Sequence, residues 1–275
     1  MSISKNNNSD IAILLKDTPA DGVLRLTLND SKRRNALSEE MMLSISSSLK
    51  KASRNKDVKV IVISANGPAF CSGHDLKQML AGRQNDDDDD GESYFTKVFA
   101  SCSALMQQIV NHPKPVIAEV SGVAAAAGCQ LVACCDLAIA ADSARFVTPG
   151  VNIGLFCSTP MVALSRNVPN KAAMEMLLTG EMIDSKKAEK IGLVNSVVAD
   201  DALDQETIEL ASLIASKSSM ALETGKKAFY SQKEMPLSEA YKFASKVMVD
   251  NMLKHDAKEG INAFIEKRQP EWKDK

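Results

Sequence analysis

Leu24, Leu26 and Leu28 occupy alternate positions just after an Asp21–Gly22 pair, and a second apolar run, IAILLKD (11–17), stands before that pair. Such runs flanking a D-G step predict a β-hairpin with the three leucines on one face. At residue 38 the period changes: Met42, Ile45, Leu49 and Ala52 recur at three- and four-residue intervals behind Ser38, Glu39 and Glu40. That spacing predicts an amphipathic helix with a serine cap, and the acids of its first turn suit the positive end of the helix dipole. VKVIVIS (58–64), PVIAEV (115–120) and LAIA (137–140) are apolar on both faces, as strands covered by helices are. Between them Phe95, Phe99, Cys102, Met106 and Ile109 return to helical spacing. Beyond Leu203 only the helical period remains, as in Tyr241, Ala244, Met248 and Met252, with Pro236 dividing two segments. The pattern predicts a polar tail over 1–10, an α/β core over 11–200 and a C-terminal helical region over 201–275.

Composition narrows the function classes. The 275 residues carry 33 basic and 35 acidic groups, a net charge of -2, so no general attraction to nucleic acid or anionic membranes is expected. Aromatic residues make up 4%, too few for base-stacking platforms, and Lys186, Lys187 and Lys190 form only a short basic cluster. No apolar run approaches the roughly 20 residues of a bilayer span. The six cysteines lie among apolar neighbours without metal-ligand spacing, which points to buried thiols in a reducing compartment and to no metal site. MSISKNNNSD lacks the features of a secretory or transit peptide, and WKDK is not the peroxisomal signal. NDDDDDG (85–91) repels itself and predicts a loop; it lacks the spaced ligands of a calcium site.

Two stretches share one layout: a buried strand, a turn of small residues, then a helix start. They are VIVISANGPAFCSGHDLKQM (60–79) and VIAEVSGVAAAAGCQLV (116–132). The first N–H groups of a helix have no partner within it and carry partial positive charge, so each turn can aim a donor at a developing negative oxygen. Two such donors would form an oxyanion hole, with the small side chains leaving room for a ligand against the backbone. Runs of Ala and Gly equally serve to pack helices tightly against a sheet.

RRNALS (33–38), AFCSGHDLKQM (69–79), KPVIAEVSGVAAAAGCQLVACCDLAIA (114–140), LLTGEMIDSKKAEKIGLVNSVV (177–198) and EGINAFIEKRQPEW (259–272) together resemble the enoyl-CoA hydratase/isomerase (crotonase) superfamily, in family order. The resemblance implies an α/β fold of the crotonase/ClpP type, a spiral of repeated ββα units followed by a helical trimerisation region. It implies acyl-CoA thioesters as ligands, no cofactor, assembly as a homotrimer or dimer of trimers, and a place in mitochondrial fatty-acid metabolism; without a visible transit peptide, the cytoplasm is the other expectation. Carried over position by position, the oxyanion N–H groups are those of His74 and Ala127. Lys32, Ala36, Leu37, Asp75 and Leu76 fall on the stretches that line the CoA path, with Phe264 and Lys267 reaching it from a neighbouring subunit. Ala127 stands where relatives commonly have Gly, which would spoil the hole if that residue needed a positive φ.

Hydratases of this family use two glutamates, one closing a G-G-G-C-E stretch and one beyond a Pro after the next strand. Here Gln130 and Gly150 hold those positions. An amide does not titrate and glycine offers nothing, so hydration is expected to be weak or absent. The alternatives are an isomerase, thioesterase or decarboxylase with relocated groups, for which His74 and Ser158 are the candidates, with Cys157 and Glu119 further options, or an RNA-binding protein. Asp75, Asp136 and Glu175 read as structural acids. No Ser/His/Asp set stands in a usable context for a ClpP-type protease.

Overall fold

The computed structural model describes residues 12–84 and 89–275. The expected tail at 1–10, and positions 85–88 of the acidic run, lie outside the described residues.

The Asp21–Gly22 turn folds β1 (Leu14–Ala20) back on β2 (Val23–Leu28) in antiparallel register, Leu14 opposite Leu28. Leu26 and Leu28 are buried in the core shared with α1 (Glu39–Arg54), whose N-terminus is capped by Ser38 Oγ accepting from Met41 N at 3.2 Å. The chain continues through β3 (Val60–Ala65), α2 (Leu76–Gln84), α3 (Glu92–Val110), β4 (Val116–Val120), β5 (Val123–Ala125) and α4 (Ala127–Cys134). It then forms β6 (Leu137–Ala141), β7 (Arg145–Val147), α5 (Ser158–Asn167), α6 (Asn170–Thr179), β8 (Ile183–Asp184), α7 (Ser185–Lys190) and β9 (Ser196–Val198). Helices α8 (Leu203–Ala215), α9 (Ser219–Gln232), α10 (Leu237–Met252) and α11 (His255–Glu266) complete it.

The larger sheet has the order β1-β2-β3-β4-β6-β9 and is parallel from β2 onward. A smaller sheet, β5-β7-β8, is extended by a bridge between Ala124 and Cys71. Each winding thus passes a long strand, a short strand and a helix, as in β4-β5-α4 and β6-β7-α5, which is the ββα spiral that the family resemblance implies. One face of the large sheet buries Leu26, Ile61, Ile63 and Val116 with residues of α1, α3 and α4. The other buries Val23, Val60, Val62 and Ile117 under Ala211 and Ala215 of α8. Each fully buried Val, Leu or Ile side chain contributes about 1.5–3 kcal/mol. The helical period beyond Leu203 is realised, yet Tyr241, Met248 and Met252 of α10 and Phe264 of α11 are exposed. All six cysteines are free and buried.

Candidate functional site

The two small-residue turns touch. Gly73 adopts a φ of +90°, and a Cβ there would lie 3.0 Å from Ala126 Cβ and 3.1 Å from Ala125 O. From the other side, a Cβ on Gly128 would stand 2.2 Å from Cys71 O, a distance no side chain survives. Backbone bonds fasten the pair: Cys71 N donates to Val123 O at 3.1 Å, and Ala125 N to Cys71 O at 2.8 Å. The small residues at 73 and 128 are therefore required by contact between the turns, before any ligand is considered.

The N–H groups of His74 and Ala127 donate to no acceptor among the described residues, whereas the neighbouring Ala126 and Gln130 N–H groups donate to Val147 O at 2.9 Å and Ala126 O at 3.0 Å. Ala127 opens α4, outside the residues with positive φ, so its methyl group does not spoil the amide direction. The expected strain sits one residue earlier: Ala126 has φ 49° and ψ −114°, a conformation that costs an L-residue on the order of 1–3 kcal/mol. The half-buried His74 ring stands edge-on to Phe99 of α3, with centroids 5.4 Å apart, and neither of its buried nitrogens has a partner among the described residues. Burial lowers its pKa, so the ring is neutral near pH 7. Asp75 caps α2, its Oδ1 accepting from Lys77 N at 3.0 Å and Gln78 N at 3.2 Å.

Gln130 is 4% exposed and its Oε1 has no donor. Gly150 lies in a 3₁₀ turn over Pro149–Ile153, where a Cβ would meet Leu155 O at 2.8 Å and Cys157 Sγ at 2.9 Å. The space a longer side chain would occupy is filled by its own loop. Burial raises the Cys157 pKa, which keeps the thiol protonated. Ser158, the first residue of α5, is exposed and its Oγ donates to Phe156 O at 3.3 Å. Glu119 projects from β4 with Oε2 unpartnered; burial first, then Asp204 and Asp17, push its pKa up to about 7 against the opposing pull of Arg25. It faces away from the turns, on the sheet side shared with Ile117 and α8. Glu175 pairs with Lys187 at 2.9 Å on the surface.

Of the positions matched to a CoA path, Ala36 and Leu37 are buried and pinned to the first turn by Leu37 N donating to Gly73 O at 2.7 Å. Lys32, shortly before them in sequence, and Leu76, at the start of α2, are exposed, and Asp75 is committed to the cap. Phe264 is 85% exposed, and Lys267 ends the same helix in a left-handed conformation; within one chain Phe264 meets neither turn. A cavity of about 870 Å³ opens between α3, α4, α5 and α9, with Met106, Gln130, Val162 and Tyr230 in its lining. A second, of about 630 Å³, is bordered by Phe95 and Phe99, and Ser103 borders both. Among the described residues no cluster of His, Cys, Asp or Glu suits a metal ion.

Residues 18–275 match the family model described as Enoyl-CoA hydratase/isomerase. The chain belongs to this family. It is 50% identical over 252 residues to the rat protein named "Enoyl-CoA hydratase domain-containing protein 3, mitochondrial", covering 92% of this chain and 82% of that protein. Among solved structures it is similar to human enoyl Coenzyme A hydratase domain-containing protein 3, with TM-score 0.89 and 47% identity over 95% of this chain and all of the other. It is equally similar to an enoyl-CoA hydratase of Mycobacterium smegmatis, with TM-score 0.89, 47% identity, and 95% and 99% coverage. Within this family frame, three features escaped the sequence. The strain at Ala126 carries no local signature. Cys157 plugging the space beside Gly150 depends on loop path. Lys226, reaching Asp136 at 2.7 Å, is 90 residues away from it.

Proposed function

We propose that this family member binds acyl-CoA thioesters and polarises their carbonyl group, with hydratase activity weak or absent. The observation that carries this reading is the contact of two turns whose His74 and Ala127 N–H groups have no acceptor among the described residues. Fixed backbone donors of this kind favour negative charge developing on a thioester oxygen, and each contributes about 2.7–4 kcal/mol to such a transition state. Proton transfer is what the site does not supply. Gln130 cannot titrate, and a carboxylate at 150 would collide with Leu155 O and Cys157 Sγ. General acid–base catalysis contributes roughly 10²–10⁴-fold, and two such groups are missing.

Relocated catalysis through His74 or Ser158 draws less support: the imidazole is unpartnered, and the hydroxyl is bonded to a carbonyl with no base beside it. On this reading Lys32, Ala36, Leu37, Asp75 and Leu76 border the CoA moiety, Lys32 offering an exposed cation for its phosphates. Phe264 and Lys267 reach it from a second copy, in a homotrimer or dimer of trimers that covers the apolar residues α10 and α11 expose. The names of relatives support a mitochondrial setting, and a thioester-binding role there would belong to lipid metabolism.

Thermal melts in graded acyl-CoA test binding, and a crotonyl-CoA hydration assay against a family hydratase tests catalysis. A midpoint that rises with ligand concentration and hydration slower by at least ~10³-fold are the expected outcomes. Hydration at the rate of the control overturns the second half of the proposal, and an unmoved midpoint the first.

A further inference from the structure

Helix α11 carries Phe264 outward, yet little of the core holds it. Its buried residues are Asp256 and Ala263, and among the secondary-structure elements α10 is the one it packs on more than marginally. What fastens it is the segment that follows. Lys267, at φ 55°, turns the backbone out of the helix, and Arg268 N donates back to Ala263 O at 3.0 Å. Residues 268–275 then return along α11 toward its first turn. Arg268 grips Glu259 with Nη1 at 2.6 Å and Nη2 at 2.9 Å, and Glu271 N donates to Glu259 Oε1 at 2.9 Å. The Trp272 ring lies so close to Gly260 that a Cβ there would stand 3.1 Å from it.

The same strap reaches the corner between α8 and α9. Trp272 Nε1 donates to Ser216 O at 2.9 Å, and Ser219 N to Asp274 Oδ1 at 2.6 Å. Both lines of contact meet at Asp256, which is 2% exposed. Its Oδ1 accepts from Lys273 N at 2.9 Å, with His255 Nδ1 3.3 Å away. Its Oδ2 accepts from Ser218 Oγ at 2.6 Å and from Asp274 N at 3.0 Å. One carboxylate thus ties the start of α11, the cap of α9 and the strap. Both oxygens are needed, since a carboxamide of the same shape keeps one acceptor and sets an NH₂ group against the other donors. Bonds to a charged acceptor are also roughly twice as strong as neutral ones.

We propose that Asp256 is the positioning residue of this strap: by pinning residues 268–275 it fixes the direction in which α11 presents Phe264, Ile265 and Lys267 to a second copy of the chain. The inference rests on the assembly proposed above. A pinned α11 offers its exposed apolar side chains already ordered, whereas an unpinned one loses its freedom only on association, which weakens binding.

Trp272 is the only tryptophan of the chain and lies within the strap, so its fluorescence reports docking. Acrylamide quenching of the full chain, natural and Asp256→Asn, is measured beside sedimentation velocity and far-UV circular dichroism. In Asp256→Asn the quenching rises toward that of the urea-unfolded chain and self-association weakens ~10-fold, the equivalent of one lost charged hydrogen bond, while the dichroism stays native. A role in packing alone would leave Trp272 unmoved, because the exchange keeps the shape. Quenching at the natural level overturns the pin, and a freed Trp272 with unchanged association overturns its hold on α11. Lys273→Pro removes one strap donor at an exposed position and moves both readings the same way, so the test survives if Asp256→Asn does not fold. A natural chain that stays monomeric overturns the assembly and the strap's part in it; Trp272 then still decides the pin.

Discussion

Helix α4 is 8 residues long, and its two ends are finished in opposite ways. At the C-terminal end the chain is densely paired. Asn167 Nδ2 donates to Ala133 O, Cys135 Sγ to Leu131 O at 3.3 Å, and Asp136 just beyond receives Val116 N at 2.7 Å, Lys226 Nζ and Tyr230 OH. Toward the N-terminal end the Ala127 N–H, the Gln130 Oε1 and, in the adjoining turn, both His74 ring nitrogens have no partner among the described residues. Folded chains rarely leave buried polar groups unpaired, because each one costs free energy on folding. A cluster of them at one end of a short helix, beside dense pairing at the other, separates the end that we propose for ligand binding from the end that fastens the fold.

Breaking the fastened end has the largest effect. Asp136→Ala strands the Lys226 ammonium, whose side chain is 8% exposed, and the Val116 N–H. We expect a loss of about 3–5 kcal/mol in urea denaturation; a loss below about 1 kcal/mol would show that the latch does not hold α9 to the core. At the open end the sign reverses. Ala126→Gly relieves a φ of 49°, offset in part by the greater freedom of glycine in the unfolded chain, so a net gain of about 1 kcal/mol is expected in the same measurement. A net loss would mean that the bend is not strained.

An effect set by pH lies on the far face of the sheet, where Glu119 Oε2 has no partner among the described residues and does not serve the turns. Its folded pKa of about 7 exceeds the ordinary 4.5, so its contribution to stability is present below about pH 4.5 and is lost as pH rises through 7. Glu119→Gln should therefore be more stable than the natural chain at pH 8, with the difference shrinking toward pH 5. The lowered His74 and His112 values act in both proteins and cancel in that difference. Thermal melts at the two pH values decide it, and a difference that does not change with pH refutes the burial of this carboxylate.

Much of the fold was legible because it rests on local periods. The hairpin at Asp21–Gly22, the Ser38 cap and the two-sided apolar strands each declare themselves within a few residues. The positions of the two turns were legible for the same reason, since helix starts leave unpaired N–H groups wherever they occur. Their contact was not: the approach of Gly128 to Cys71 joins residues 57 apart in the chain, and only the spiral winding decides it. The concern over Ala127 placed the strain one residue late, because a sequence shows where a helix begins only to within a residue or two. Position 150 could be read as a missing carboxylate, yet the refilling of its space by Cys157 belongs to the loop path alone.

The six buried cysteines give the molecule a built-in clock. Burial holds the Cys71 and Cys129 thiols up at about 12, so an alkylating reagent meets almost no thiolate while the chain is closed. Carbamidomethylation in native buffer thus proceeds only as fast as the interior opens. Because Cys71 lies beneath the first turn and Cys129 beneath the second, their modification times how often that junction parts.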